Sequence, residues 1–149
     1  MKVVIVGGVA GGATAATRLR RLDEHAQITV FERSGYISYA NCGLPYYIGG
    51  VIGDEEELTL QTPESIWNRF RIDMKVYHEV TDINAEKKTV TVHNLDTGKV
   101  YEESYDKLIL SPGAKPVMPN LPGIENEKIF MLRTVEDALK IRSFVEEKK

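Results

Sequence analysis

The chain has 149 residues, 42% of them apolar and 28% charged, with 19 Lys and Arg against 22 Asp and Glu for a net charge of −3. That balance is ordinary for a globular domain with a sizeable core, and it argues against a nucleic-acid binder that relies on bulk charge. No run of about 18 apolar residues is present. The apolar start at residues 3–6 is too short for a signal peptide, the single Cys42 excludes an internal disulfide framework, and His25, His78 and His93 lack metal-ligand spacing. A cytoplasmic chain is the default expectation, with no metal, no nucleic acid and no membrane among its partners.

Residues 3–6 read Val-Val-Ile-Val, a run expected of a strand buried on both faces. Gly7, Gly8, Gly11 and Gly12 follow, then helix formers from Ala13 to Leu22, then a second apolar run at 28–31 that ends at Glu32. Strand, glycine turn, helix and strand make the first βαβ unit of a doubly wound fold. Residues 33–53 read as irregular, and the acidic run 54–57 as a solvated loop. Thr62 and Pro63 mark an N-cap and first helical position, for a helix to about Phe70. Segments 75–84, 89–93 and 99–105, separated by turns at 85–88 and 96–98, read as a three-stranded antiparallel meander. Residues 107–110 return to an apolar strand that stops at Ser111-Pro112-Gly113. A connector with Pro116, Pro119 and Pro122 leads to a helix from a Thr134 cap to about Glu147. The fold class is α/β, a Rossmann-like parallel sheet with helices plus the meander at about 74–105.

The turn Gly7-Gly8-Val9-Ala10-Gly11-Gly12 matches the dinucleotide fingerprint G-x-G-x-x-G at its first and third glycines, with Val9 in the middle slot. A diphosphate is expected on the amides of residues 9–12, at the positive end of the helix. Glu32, with Arg33 beside it, lies 20 residues beyond Gly12. An acid there accepts from a ribose 2′-OH and repels a 2′-phosphate. The fingerprint alone does not separate FAD from NAD. A lone cysteine is most often a small core residue. Cys42, however, follows the second strand of a dinucleotide unit and stands between Asn41 and Gly43, where it can open a short helix.

The segments VVIVGGVAGGATAATRLRRL (3–22), FERSGYISYANCGLPYYIGG (31–50), YHEV (77–80) and YDKLILSPGAKP (105–116) resemble the N-terminal part of the flavoprotein pyridine nucleotide-disulfide oxidoreductase family, and most closely its coenzyme A-disulfide reductase branch. The resemblance implies a cofactor, FAD, along Gly7, Gly8, Val9, Ala10, Gly11 and Gly12, with its adenosine ribose on Glu32. It implies further FAD contacts at Arg33, Val80, Ser111 and Gly113. On the residues alone, Val80 reads equally well as core strand, and Ser111-Pro112-Gly113 as a strand terminator. Cys42 is the implied catalytic residue, acting through a mixed disulfide with CoA. Family members with a cysteine pair carry the second thiol five positions on, where this chain has Tyr47. Its peroxidases and oxidases carry a histidine where this chain has Ala10.

Arg18 and Arg21 share a face of the first helix with Thr14 one turn earlier, which by itself reads as a solvated basic face. The resemblance implies that Thr14, Arg18, Arg21, Ser38 and Asn41 hold coenzyme A or CoA disulfide. It also implies residues 1–115 as the first half of an FAD-binding domain, and 116–149 as the lead-in to an NAD(P)H-binding domain beyond the chain. NADH or NADPH is then the co-substrate and a homodimer the assembly of the full-length protein. This portion by itself is expected not to turn over. Two alternatives stand beside this reading: an NADH oxidase or peroxidase cycling Cys42 through a sulfenic acid, and a non-catalytic dinucleotide-binding or redox-sensing module.

Overall fold

The computed structural model describes residues 1–148, which form two compact units, one of residues 1–38 and 61–112 and the other of residues 39–60 and 113 onward. The first unit begins with β1 (Lys2–Val6), α1 (Ala10–Leu22) and β2 (Gln27–Phe31). Helix α1 starts at Ala10 rather than Ala13. It runs through Gly11 and Gly12, poor helix formers, of which Gly12 is required by packing at this junction. The second unit contributes α2 (Leu44–Ile48), described below. The first resumes with α3 (Pro63–Phe70), β3 (Asp73–Lys75), β4 (His78–Asn84), β5 (Thr89–Asn94), β6 (Val100–Ser104) and β7 (Lys107–Leu110).

The expected parallel sheet and meander are both present. The sheet has the order β3-β2-β1-β7, every pair parallel, with Val3 opposite Ile28 and Val4 opposite Leu108. The meander has the order β4-β5-β6. Strand β3 corrects the sequence reading. Lys75 belongs not to the meander but to a short strand paired parallel to β2, with Val30 opposite Met74. Met74 packs into the sheet core, and Tyr77, at φ +55°, turns the chain out of one sheet and into the other.

Alternation along β1 explains why the sheet is covered on both sides. Val3 and Ile5 face a core with Ala13 and Ala16 of α1 and Ile66 of α3. Val4 and Phe31 face Val90 and Val92 of the meander. Each such fully buried Val or Ile contributes about 1.5–3 kcal/mol. Helix α3 keeps its expected cap, with Thr62 Oγ1 accepting from Ser65 N–H at 3.1 Å and Ser65 Oγ–H donating to Gln61 Oε1. Arg20 joins two helix ends. Its guanidinium donates to the carbonyls of Asp23, Glu24, Phe70 and Arg71 at 2.7–3.2 Å.

In the second unit a single 3₁₀ turn, Asn41–Gly43, runs directly into α2. The acidic run is not a loop. Glu55–Leu58 form a 3₁₀ turn with a capping box between Asp54 and Glu57, because Leu58 is fully buried and draws the segment inward. Residues 113–133 form only turns before α4 (Val135–Glu147), whose capping box pairs Thr134 with Asp137. Arg142 of α4 lies over the Tyr47 ring at 4.3 Å and donates to the carbonyls of Tyr47, Ile52 and Gly53. No helix among the described residues is long and apolar enough to cross a membrane.

Candidate functional site

The glycine turn is built by contacts that leave no room for side chains. Gly7 has φ +98°, and its N–H donates to the Phe31 carbonyl at 2.8 Å, carrying the β1–β2 pairing into the turn. A Cβ on Gly7 would lie 2.0 Å from the Ser111 carbonyl oxygen, and one on Gly12 only 1.7 Å from the Gly7 carbonyl oxygen. The end of β7 therefore packs directly against the turn, which puts Ser111 beside it. Gly8 donates its N–H to Glu32 Oε2 at 2.8 Å. Val9 is the N-cap of α1, and no side chain caps that helix. The amides of residues 10–12 thus stay open at its positive end.

Glu32 is the buried charged residue of this unit, 8% exposed. Its Oε1 accepts from both Ser34 N–H and Ser34 Oγ–H at 2.9 Å, and its Oε2 from Gly8 N–H. A carboxylate has about four acceptor sites, so Oε1 is filled and Oε2 keeps one for an incoming hydroxyl. Sequence reasoning misses Ser34, although a Ser two residues after an acid is a common local partner.

A cavity of about 110 Å³ opens beside the turn. It brings together four expected residues, Gly7, Glu32, Arg33 and Val80, with Phe31, His78, Glu79 and Pro112 as further lining. His78 is held by its partners: Nδ1–H donates to the Val76 carbonyl at 2.6 Å and Nε2 accepts from Asn94 at 3.1 Å. Gly113 lies in the other unit with φ +73°.

A second groove of the first unit, about 260 Å³, is lined by Thr14, Arg21 and Ser38, together with Val9, Gln61 and Arg69. Arg18 is exposed on α1 but is not among the lining residues. Gln61 and Arg69 come to the groove through the start and last turn of α3, a placement no local pattern announces.

In the second unit Cys42 is a free, exposed thiol at the centre of the turn Asn41–Gly43. Gly43 is packed under it, where a Cβ would come within 3.2 Å of Ile52 and Leu58 side chains. Asn41 Oδ1 accepts from Arg133 Nη1 at 2.9 Å. Among the described residues no cluster of three His, Cys, Asp or Glu is arranged to hold a metal.

A parallel sheet with a glycine turn after β1, an uncapped helix start and a buried acid after β2 is the architecture of a Rossmann-type dinucleotide-binding fold. Across residues 1–149 the chain matches the family model of pyridine nucleotide-disulphide oxidoreductases, and it belongs to that family. Coenzyme A disulfide reductase of Staphylococcus aureus (strain JH9) is 49% identical over 144 residues, covering 97% of this chain and 32% of the relative. The crystal structure of reduced Bacillus anthracis CoADR-RHD superposes with a TM-score of 0.95 at 54% identity, over 99% of this chain and 27% of that one. An NAD-dependent persulfide reductase from A. fulgidus gives 0.92 at 37% identity, over 99% and 28%. The chain spans about a third of the length of the curated relatives it matches.

Proposed function

We propose that this chain is the first portion of an FAD-dependent NAD(P)H:disulfide oxidoreductase that reduces CoA disulfide, or a CoA persulfide, through Cys42 alone. In this reading residues 1–115 are the first half of the FAD-binding domain and 116–149 lead into an NAD(P)H-binding domain. The full-length protein is a cytoplasmic homodimer. The observation that carries the reading is the exposed Cys42 with Tyr47, not a second thiol, five positions on.

The residues present fit FAD. The open amides at the start of α1 suit a diphosphate, and the spare Oε2 site of Glu32 suits a ribose hydroxyl. Gly7 and Gly12 let the end of β7 and the start of α1 pack against the turn with no side chain between them. When bound, FAD supplies two electrons taken from NAD(P)H. The chain's own part is thiol chemistry. The Cys42 thiolate attacks one sulfur of RS–SR, forming Cys42–S–S–R and releasing RS⁻, which takes a proton from water. Two electrons then return Cys42 to the thiolate and release the second RS⁻. The sum is RSSR + NAD(P)H + H⁺ giving 2 RSH + NAD(P)⁺. Thr14, Arg18, Arg21, Ser38 and Asn41 are proposed to hold the CoA portion, with Arg69 as a further cation in the groove.

Mass spectrometry of the non-reduced protein, with and without dithiothreitol, tests the reading. A reducible adduct of CoA mass on Cys42, absent from Cys42→Ser, is expected. An unmodified thiol after incubation with CoA disulfide would overturn it, and a gain of one oxygen would favour the oxidase alternative.

A further inference from the structure

Arg133 sits one residue before the N-cap of α4, and its backbone is pinned on both sides. Its N–H donates to Asp137 Oδ2 at 2.9 Å, and its carbonyl accepts from the Tyr39 hydroxyl at 3.4 Å. From there the side chain reaches the cysteine turn, where Nη1 donates to Asn41 Oδ1 at 2.9 Å. A guanidinium carries donors only, so the oxygen end of the Asn41 amide must face it. The amide nitrogen keeps two N–H donors, and among the described residues no protein group pairs with them. No carboxylate pairs with the Arg133 guanidinium among the described residues either. An unpaired cation thus holds the oxygen of the Asn41 amide and leaves its nitrogen, beside Cys42, free to donate.

Disulfide exchange places negative charge on the departing sulfur, and a fixed N–H donor nearby lowers the barrier most when that thiol is weakly acidic. We propose that Arg133 is a positioning residue for the Cys42 chemistry. It orients the Asn41 amide so that the nitrogen donates to the departing sulfur as the bond between Cys42 and the captured thiol forms. The charge balance is that of the exchange above: Cys42–S⁻ plus RS–SR gives Cys42–S–SR plus RS⁻, the latter stabilised by the Asn41 N–H until water protonates it. The inference rests on the mixed-disulfide reading and extends it to a residue far away in sequence.

The test is single-turnover formation of the mixed disulfide in the full-length protein, with Cys42 pre-reduced and the product followed by mass. Three disulfides are compared: CoA disulfide, whose departing thiol is weakly acidic, a small aliphatic disulfide without the CoA portion, and an aromatic disulfide with a strongly acidic thiol. Arg133→Met and Asn41→Ala are each expected to slow the CoA disulfide reaction about five- to tenfold, the loss of one hydrogen bond to a developing charge. The double variant is expected to be no slower than either single one. Arg133→Lys recovers most of the rate, Arg133→Met reacts with the aromatic disulfide and with iodoacetamide within about twofold of the wild type, and the small aliphatic disulfide without the CoA portion is slowed as CoA disulfide is. Equal slowing with CoA disulfide and the aromatic disulfide, or single effects that multiply, would overturn the proposal by showing only a disordered turn. Wild-type reaction with an unchanged Arg133→Met overturns this inference alone. A wild type that forms no mixed disulfide overturns the functional reading with it.

Discussion

Replacing Glu32 by Gln isolates what one carboxylate does for the glycine turn. Glu32 accepts three donors, Gly8 N–H on Oε2 at 2.8 Å and the Ser34 N–H and hydroxyl on Oε1 at 2.9 Å. Gln keeps the size but offers one acceptor oxygen. With that oxygen on Ser34, its NH₂ meets the Gly8 N–H donor to donor; turned round, it meets the Ser34 N–H instead. A hydrogen bond to a charged group contributes about 1.5–3 kcal/mol, and an unpaired buried donor costs about 1–3 kcal/mol. Glu32→Gln is therefore expected to lose about 2–3 kcal/mol. Urea unfolding followed by the fluorescence of Trp67, which is the single tryptophan and lies in the same unit, reads the change. With an unchanged slope of about 1–3 kcal/mol per molar, the midpoint falls by roughly 0.7–3 M. Glu32→Asp, one methylene short of both partners, falls between the two. A Glu32→Gln midpoint equal to wild type would refute the reasoning, because the carboxylate would then not be organising the turn.

Other substitutions separate the roles of neighbours that look alike in sequence. Gly12→Ala places a methyl 1.7 Å from the Gly7 carbonyl oxygen, so α1 must leave β1; a loss of about 3 kcal/mol or more is expected in the same assay. Gly11→Ala meets only the Ser111 side chain, its hydroxyl at 3.1 Å and its Cβ at 3.4 Å, and its stability is expected within about 1 kcal/mol of wild type. Equal effects at the two positions would contradict the packing argument. Arg20→Met leaves four helix-end carbonyls without their donor and is expected to cost about 1–3 kcal/mol, with Lys rescuing less than half because one ammonium cannot span them. Tyr101 ionises above its ordinary value, chiefly through burial and then through Glu103 and Asp73. Its contribution is fully present below pH 10 and is lost as pH rises through the higher folded value, because the unfolded chain releases that proton first. Tyr101→Phe should flatten the alkaline limb of a stability-against-pH curve, and an unchanged limb would count against the assignment.

Elements with strong local signals are legible in the sequence. The β-branched run at β1, the Thr62-Pro63 start of α3, the Thr134 cap of α4 and the turns of the meander each follow from residues a few positions apart. The same holds for the glycine turn, where φ +98° at Gly7 and the approach of Gly12 admit only one residue type. The elements that local pattern misplaces are those that long-range contacts create. Residues 73–75 form a strand because β2 offers an open edge and the core takes Met74, not because three residues prefer one. The acidic run folds into a turn because Leu58 is buried, which its charge pattern hides.

The site divides in the same way. Sequence by itself determined the identities that chemistry demands: glycines where backbone must approach, an acid after β2, and one thiol without a partner. Only the tertiary structure decided what those groups are free to do. It filled Oε1 of Glu32 with Ser34 and left a site on Oε2, committed Arg20 to helix ends, and brought Arg69 and Gln61 to the groove of Arg21. It also set the Asn41 amide by a guanidinium 92 residues away in sequence. A residue's type fixes how many hydrogen bonds it can make, and which of them are already used depends on chain segments that meet only when the fold closes.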